Sequence, residues 1–354
     1  MISAILAVAL GPQVLSGSLE SAKEPQAAVT QDGRFVVTFG TKNAILEVHE
    51  TKPGTWTAPK EIAQIPGLAL GMRRGPRIAI GGKTWVVAAS QHYPDNSGDL
   101  LAYASNDEGK TWSRSVRIND QRGSAGEGLD GIAASPLGDF AAVWLDSRQG
   151  SGQVEGAITR NPATDWHENK LVYRAPNGPV CPCCHPSVAW SEGIFRAMWR
   201  NSVDGNRDMY ACSLSIGKET VAQKLGAGSW KLNACPMDGG ALTVDSKGQM
   251  KAIWRRENSI FLSDLNGGEE QELGEGVQPW IAGDWAVWLE RRGGTLWAKN
   301  LRTGRRVEVV TQADDPVVAV AGNRTMAFWA NGGKVMGEEL RDPEIHRIRL
   351  IGRR

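Results

Sequence analysis

Short runs in which apolar residues alternate with polar ones, RFVVTFG and WVVAAS among the earliest, follow one another along the chain. Each is bounded by turns rich in Gly, Asp, Asn or Arg. A period of two is that of a half-buried strand. Within these runs one signature, Ala then a large apolar residue then Trp, returns five times: Ala142-Val143-Trp144, Ala197-Met198-Trp199, Ala252-Ile253-Trp254, Ala286-Val287-Trp288 and Ala327-Phe328-Trp329. A signature recurring every few tens of residues marks a propeller, a solenoid or an array. Ala and Trp, two apart in a strand, share a face, where the small residue leaves room for the indole against a neighbouring unit. The chain reads as an all-β repeat protein.

The repeat resolves into seven units, each readable as four short strands. They run from Gln26 to Ile65, Arg77 to Asn119, Leu129 to Tyr173, His185 to Leu225, Gly239 to Leu273, Gln278 to Val310 and Pro316 to Leu350. Four-stranded units in such number predict a β-propeller around a central channel. Seven blades are favoured; irregular outer strands in units three to five leave six blades plus odd ends as the alternative. The expected organisation is an N-terminal segment, 1–25, and a single propeller domain, 26–354.

Composition narrows the function classes. A formal net charge of +1 gives no electrostatic footprint for nucleic acid or an anionic membrane. Of 14 tryptophans, five belong to the repeat, so part of that excess needs no ligand. Ile2 to Leu10 is apolar but too short to span a bilayer, and no later stretch is long enough. That segment resembles the core of a signal peptide, although no Lys or Arg precedes it, and it predicts export to the periplasm or the exterior. No G-x-S-x-G, H-E-x-x-H or phosphate-cradling glycine loop occurs.

Ser105-Asn106-Asp107-Glu108-Gly109-Lys110-Thr111-Trp112 fits S-x-D-x-G-x-T-W in full. Asp107 would accept bonds from turn amides, Gly109 would supply the unusual backbone, and Trp112 would pack beneath. Degenerate copies end at Trp56 and Trp166, and a third covers Ser213 to Thr220. On these residues the chain resembles the sialidase-like Asp-box propellers over nearly its whole length. The Cys181–Cys184 run with Cys235-Pro236-Met237-Asp238-Gly239 resembles one bacterial, cysteine-rich group among them. The motif points to a fold and leaves the activity open.

In such a propeller, inner-strand starts and the loops between second and third strands share one face. The starts supply Arg77, Asp130, His185, Asp238 and Asp315. The loops supply His92, Tyr93, Asp95, Asp99, Asp146, Arg148, Arg200, Asn201, Arg207, Asp208, Arg255, Arg256, Glu290 and Arg291. Convergent arginines and carboxylates suit an acidic or polyhydroxylated ligand, although solvated loop charges and inter-blade ion pairs would give the same composition. The resemblance implies an arginine triad, with Arg77 in Gly75-Pro76-Arg77-Ile78-Ala79 similar to the family's Arg-Ile-Pro, and Arg200 or Arg207 and Arg255 or Arg256 completing it. It implies an Asp acid/base at Asp95 or Asp99. It also implies a late-blade Tyr nucleophile, and here no tyrosine lies beyond Tyr210.

The functional expectation is therefore a glycan or small acidic ligand at the channel mouth. Arg77, Arg200, Arg207 and Arg255 would hold the anion, and Asp95, Asp130 or Asp238 would transfer protons. The alternative is a non-catalytic propeller serving as a platform for a protein partner. Cys181, Cys183, Cys184 and Cys235 admit a disulfide between blade starts, or a metal site with His185 as a further ligand. Cys181-x-x-Cys184-His185 matches the haem c pattern formally, but no cytochrome-like helical segment surrounds it, so no haem is expected. Cys212 reads as a buried apolar residue.

Overall fold

A computed structural model of the protein describes residues 11–150, 152–166, 168–214, 221–265 and 269–341. The apolar N-terminal segment, much of the third degenerate motif and the end of the seventh unit lie outside them.

Seven antiparallel blades form a propeller. Their inner strands are Ala22–Val29, Arg77–Gly81, Asp130–Ala134, Ser187–Ser191, Gly240–Val244, Val277–Ala282 and Asp314–Ala321. Each touches the next and the last touches the first, so the inner strands close a ring. Blades 2 to 7 have four strands; blade 1 adds a small hairpin strand, Thr55–Trp56, to its four. The alternative of six blades is excluded.

The Ala-x-Trp signature occupies the second strand of blades 3 to 7, and its Trp and Ala side chains face the preceding blade. Ala142 and Trp144 pack with Val86, Ala88 and Ala102 of blade 2. Ala252 and Trp254 pack with Met198 and Met209 of blade 4. The five indoles are essentially buried. Burying a large aromatic side chain stabilises by about 2–3 kcal/mol, so this wheel of blade-to-blade contacts is the core of the molecule.

Closure uses the start of the described chain. Gln13–Val14 pairs with Lys334–Glu339 as the outer strand of blade 7. Trp56 Nε1 donates to Gln13 Oε1 at 3.0 Å, and Arg324 of blade 7 grips the Glu50 carboxylate of blade 1 with two bonds of 2.7 Å. Sequence patterning gives the seventh unit as Pro316 to Leu350, of which residues 342–350 lie outside those described. The position beside Lys334–Glu339 belongs to Gln13–Val14.

Candidate active site at the channel mouth

All inner strands enter the ring from one face, and each brings a polar side chain. In blade order these are Glu24, Arg77, Asp130, His185, Asp238, Gln278 and Asp315. In blades 1, 6 and 7 that residue is left-handed (φ 55° at Glu24, 52° at Gln278, 50° at Asp315) and precedes Pro25, Pro279 or Pro316. The ladder slips a register there. Such bulges bend a strand and re-aim a side chain. Sequence reading missed Glu24 and Gln278. The polar-Pro dipeptide at the starts of blades 1, 6 and 7 was the available signal, and His185-Pro186 of blade 4 repeats it.

The loop between blades 1 and 2 covers this ring. Glu24 holds it, its carboxylate accepting the Gly71 N–H at 2.8 Å and the Arg74 N–H at 3.0 Å. Met72 and Arg73 are both left-handed, φ 56° and 64°. Arg73 reaches across to donate to the Gln278 and Pro316 carbonyls, each at 3.4 Å. Its guanidinium lies 5.1 Å from the Trp280 ring centroid, and that of Arg77 lies 5.8 Å from the same ring. His185 stacks on Trp280 at 5.9 Å and 28°. Trp280 thus carries three nitrogen groups on one indole.

Several polar atoms here are buried without a protein partner: Arg73 Nε, Arg77 Nε and Nη1, both Asp130 carboxylate oxygens and His185 Nε2. Such atoms cost roughly 1–3 kcal/mol each when unsatisfied, so their concentration in one place points to a ligand site. Burial raises Asp130 to about 7, and the Arg77 charge opposes that rise. Burial also raises Asp315, with Arg73 opposing, and raises Glu24, with Asp315 reinforcing. Burial and then the Arg77 and Arg73 charges push His185 well below the usual imidazole range, leaving it neutral. Arg73 falls to about 10 by burial. A protonated carboxyl, a neutral imidazole and two guanidinium groups are a set suited to proton transfer beside an anion.

A cavity of about 610 Å³ opens beside the cluster, lined by Lys23, Lys42, Met72, Gln278, Arg292 and Asp315 among others. A wider one, about 1020 Å³, opens at the opposite end, among the inner-strand ends of blades 1, 5, 6 and 7. Trp280 borders that space and is not in the lining of the smaller one. The perturbed groups gather at the first end, so the chemistry is assigned there despite the smaller volume.

The residues expected from sequence divide into three groups. Arg77 and Asp130 join the channel cluster. Asp238, fully buried, is paired by Arg255 Nη1 at 2.8 Å and Arg292 Nη2 at 3.4 Å. Arg200 spends its three nitrogens on the Asp238, Arg207 and Arg255 carbonyls, at 3.2, 2.6 and 2.8 Å. Arg200 and Arg255 both lie over Trp230, and Arg207 donates to the Leu232 carbonyl at 3.2 Å. These three arginines brace the loops of blades 4 and 5. Asp95 is elsewhere. It is exposed, accepts from the Ser97 amide and hydroxyl at 3.1 and 2.6 Å, and borders a cavity of about 600 Å³ with Tyr93, Arg122 and Arg148. Those bonds lower its pKa, the reverse of what a proton donor needs.

No tyrosine is placed as a nucleophile over the cluster. Tyr93 donates to Asp99 at 2.7 Å, Tyr103 is buried in blade 2, and Tyr173 packs between Trp199 and Tyr210.

The turn at 105–112 is closed as its residues require. Asp107 accepts from the Thr111 amide at 2.8 Å and hydroxyl at 2.6 Å, and the Gly109 amide donates to Ser105 Oγ at 2.9 Å. Gly109 is left-handed (φ 78°), and Trp112 packs on the core of blades 1 and 2.

The cysteines are free thiols, and four of the five are buried. Cys181 Sγ lies 3.6 Å from both Cys183 Sγ and Cys184 Sγ. The Cys183 and Cys184 thiols hold Cys181 down to about 3, while bonding to Cys181 pushes Cys183 up to about 12. Cys235 is exposed, and His185 faces Trp280, so neither joins the three-sulfur group. Cys212 is buried in the third strand of blade 4, as expected.

No protein-family model and no curated protein matches the sequence. Solved structures do match. An α-L-arabinanase of Penicillium chrysogenum, complexed with arabinobiose, is 14% identical, with 94% of this chain and 98% of that one covered and a TM-score of 0.56. Virginiamycin B lyase of Staphylococcus aureus is 12% identical over 94% and 99%, with a TM-score of 0.59. A polysaccharide lyase acting on ulvan is 10% identical over 95% and 99%, with a TM-score of 0.55. At such identities the likeness establishes the fold. Among the described residues no helix is long and apolar enough to cross a membrane.

Proposed function

We propose that the channel mouth binds a small polyhydroxylated ligand carrying an anionic group, and that the protein cleaves a glycosidic linkage there. The observation that carries this is the set of buried, unpartnered atoms of Arg73, Arg77, Asp130 and His185. The cavity lies next to that set through Met72, which precedes Arg73, and Gln278, whose carbonyl Arg73 bonds. Arg77 and Arg73, both held against the Trp280 indole, would hold the anion, and Asp130, half-protonated near pH 7, would donate a proton to the leaving oxygen. Around the cavity Lys23, Lys42 and Arg292 outnumber Asp314 and Asp315, a balance that favours a negative ligand. That similar folds include an arabinanase and an ulvan lyase supports a sugar as the ligand class. We further propose that the chain is a sialidase-like Asp-box propeller on its Ser105–Trp112 turn, and that it is exported on its apolar N-terminal segment.

The rival reading, a binding propeller without turnover, is favoured by one observation: no tyrosine stands over the cluster. A panel of fluorogenic glycosides, sialosides and uronides included, separates the two. Turnover that vanishes in Asp130→Asn supports hydrolysis. Binding of acidic sugars without turnover, lost in Arg77→Ala, supports the rival. Neither turnover nor binding sinks both.

A further inference from the structure

Three thiols converge in the segment that leads into blade 4. Cys181, Cys183 and Cys184 are buried, and their sulfurs all lie within 4.8 Å of one another. A lone buried cysteine such as Cys212 is an ordinary small apolar residue. Three sulfurs turned toward a common point are a different arrangement. In a tetrahedral thiolate site with metal–sulfur bonds of about 2.3 Å, sulfurs stand about 3.8 Å apart. The two separations of 3.6 Å to Cys181 sit close to that edge length.

The surroundings are those of a ligand set. The Cys181 amide donates to the Arg200 carbonyl at 3.0 Å, fixing the first thiol to the second strand of blade 4. The Arg200 guanidinium, held by three carbonyls, places a positive charge near Cys181 and Cys184. From the segment leading into blade 5, the Met237 amide lies near the Cys183 sulfur and the Met237 side chain packs against the cluster. Met237 adopts a left-handed conformation (φ 52°), a strained choice for a residue with a side chain. Nearby amide groups and a fixed cation are the outer contacts that orient thiolate ligands.

We propose that Cys181, Cys183 and Cys184 bind one thiophilic d10 ion, zinc(II) or copper(I), with the Met237 thioether closing the fourth position. Thiolate and thioether donors select such ions over hard cations. The ion would join the segments entering blades 4 and 5. His185 and Asp238 are the residues next in sequence to two of its ligands, so the site would set the geometry of the channel mouth from outside it.

The test uses the full chain, reduced and freed of metal, titrated separately with zinc(II) against a chromophoric chelator and with copper(I) in a bicinchoninate buffer. Cobalt(II) serves as the spectroscopic probe. The expected result is one ion per chain, with the thiolate charge-transfer and intense d–d bands of a tetrahedral cobalt site. Stoichiometric binding should be lost in Cys183→Ser and Cys184→Ser and kept in Cys212→Ser and Cys235→Ser. The tighter ion names the metal, and Met237→Leu should weaken it by about tenfold or more. If the serine variants do not fold, the wild type decides: chelation should lower its melting temperature and the ion should restore it. Substoichiometric binding by a protein whose thiols are all reduced overturns the assignment. So does a melting temperature indifferent to the ion, or binding unchanged in folded serine variants.

Discussion

Asp130 and Arg77 begin neighbouring inner strands and oppose each other as charges, yet both oxygens of the one and two nitrogens of the other lack a hydrogen-bond partner. The pair is the part of the ring where a bound anion or hydroxyl would gain most. It also fixes a pH response. Folding raises Asp130 from 3.8 to about 7, so between those values the native state keeps a proton that the unfolded chain has lost. Stability should therefore fall as pH rises from about 4 to about 7 and then level off, a change on the order of 4 kcal/mol. Calorimetric melting temperatures over that range should show the slope in the wild type and a flatter line in Asp130→Asn, which should be the more stable protein above pH 7. A slope unchanged in the variant would place the titrating group elsewhere.

Arg77→Ala should weaken binding of a sugar acid by one to two orders of magnitude, the loss of about 1.5–3 kcal/mol expected for a charge-assisted bond. Asp95→Ala should leave binding, turnover and melting within experimental error, because its exposed side chain is bonded only within its own turn. Isothermal titration with both variants makes the comparison, and a large effect at Asp95 would move the site to the rim of blades 2 and 3.

Removing the Asp238 carboxylate should act on stability. Asp238→Ala leaves Arg255, mostly buried, and Arg292 without their acceptor, and breaking a buried pair from one side costs about 3 kcal/mol. Urea denaturation should register that loss, and Arg255→Met in the same background should recover part of it. No recovery would mean that the carboxylate acts through something other than this pair.

Gly239 offers a steric test of how closely the entries to blades 4 and 5 meet. A Cβ there would stand 2.4 Å from the His185 ring and 2.5 Å from its carbonyl oxygen. Gly239→Ala should cost about 1–3 kcal/mol, read as a lower urea midpoint at unchanged slope. A neutral substitution would show that the two segments are farther apart.

The fold was legible because its core is written in a repeating pattern. Ala142 and Trp144 declare a strand, a face and a neighbour in three letters, and the same letters recur in four more blades. The clasp was not legible, since a two-residue strand such as Gln13–Val14 carries no period to detect. Arg77, Asp130 and Asp238 could be placed on one face from strand order alone. What each does there could not, because availability depends on partners brought from distant blades: Arg200 is consumed by carbonyls from blades 4 and 5, while Arg77 keeps two nitrogens free. Arg73 escaped notice for another reason. It sits in a loop without pattern, and its left-handed backbone is set by what Glu24 holds.

The strand Gln13–Val14 also dictates an order of assembly. Lys334–Glu339 gains its outer neighbour only when it meets a strand that precedes every other described strand in the sequence. Contacts of such long separation are slow to form, and until this one does, blade 7 carries a bare edge. A chain deprived of that clasp would offer Lys334–Glu339 to other molecules, and closure within one chain would give way to strand exchange between two.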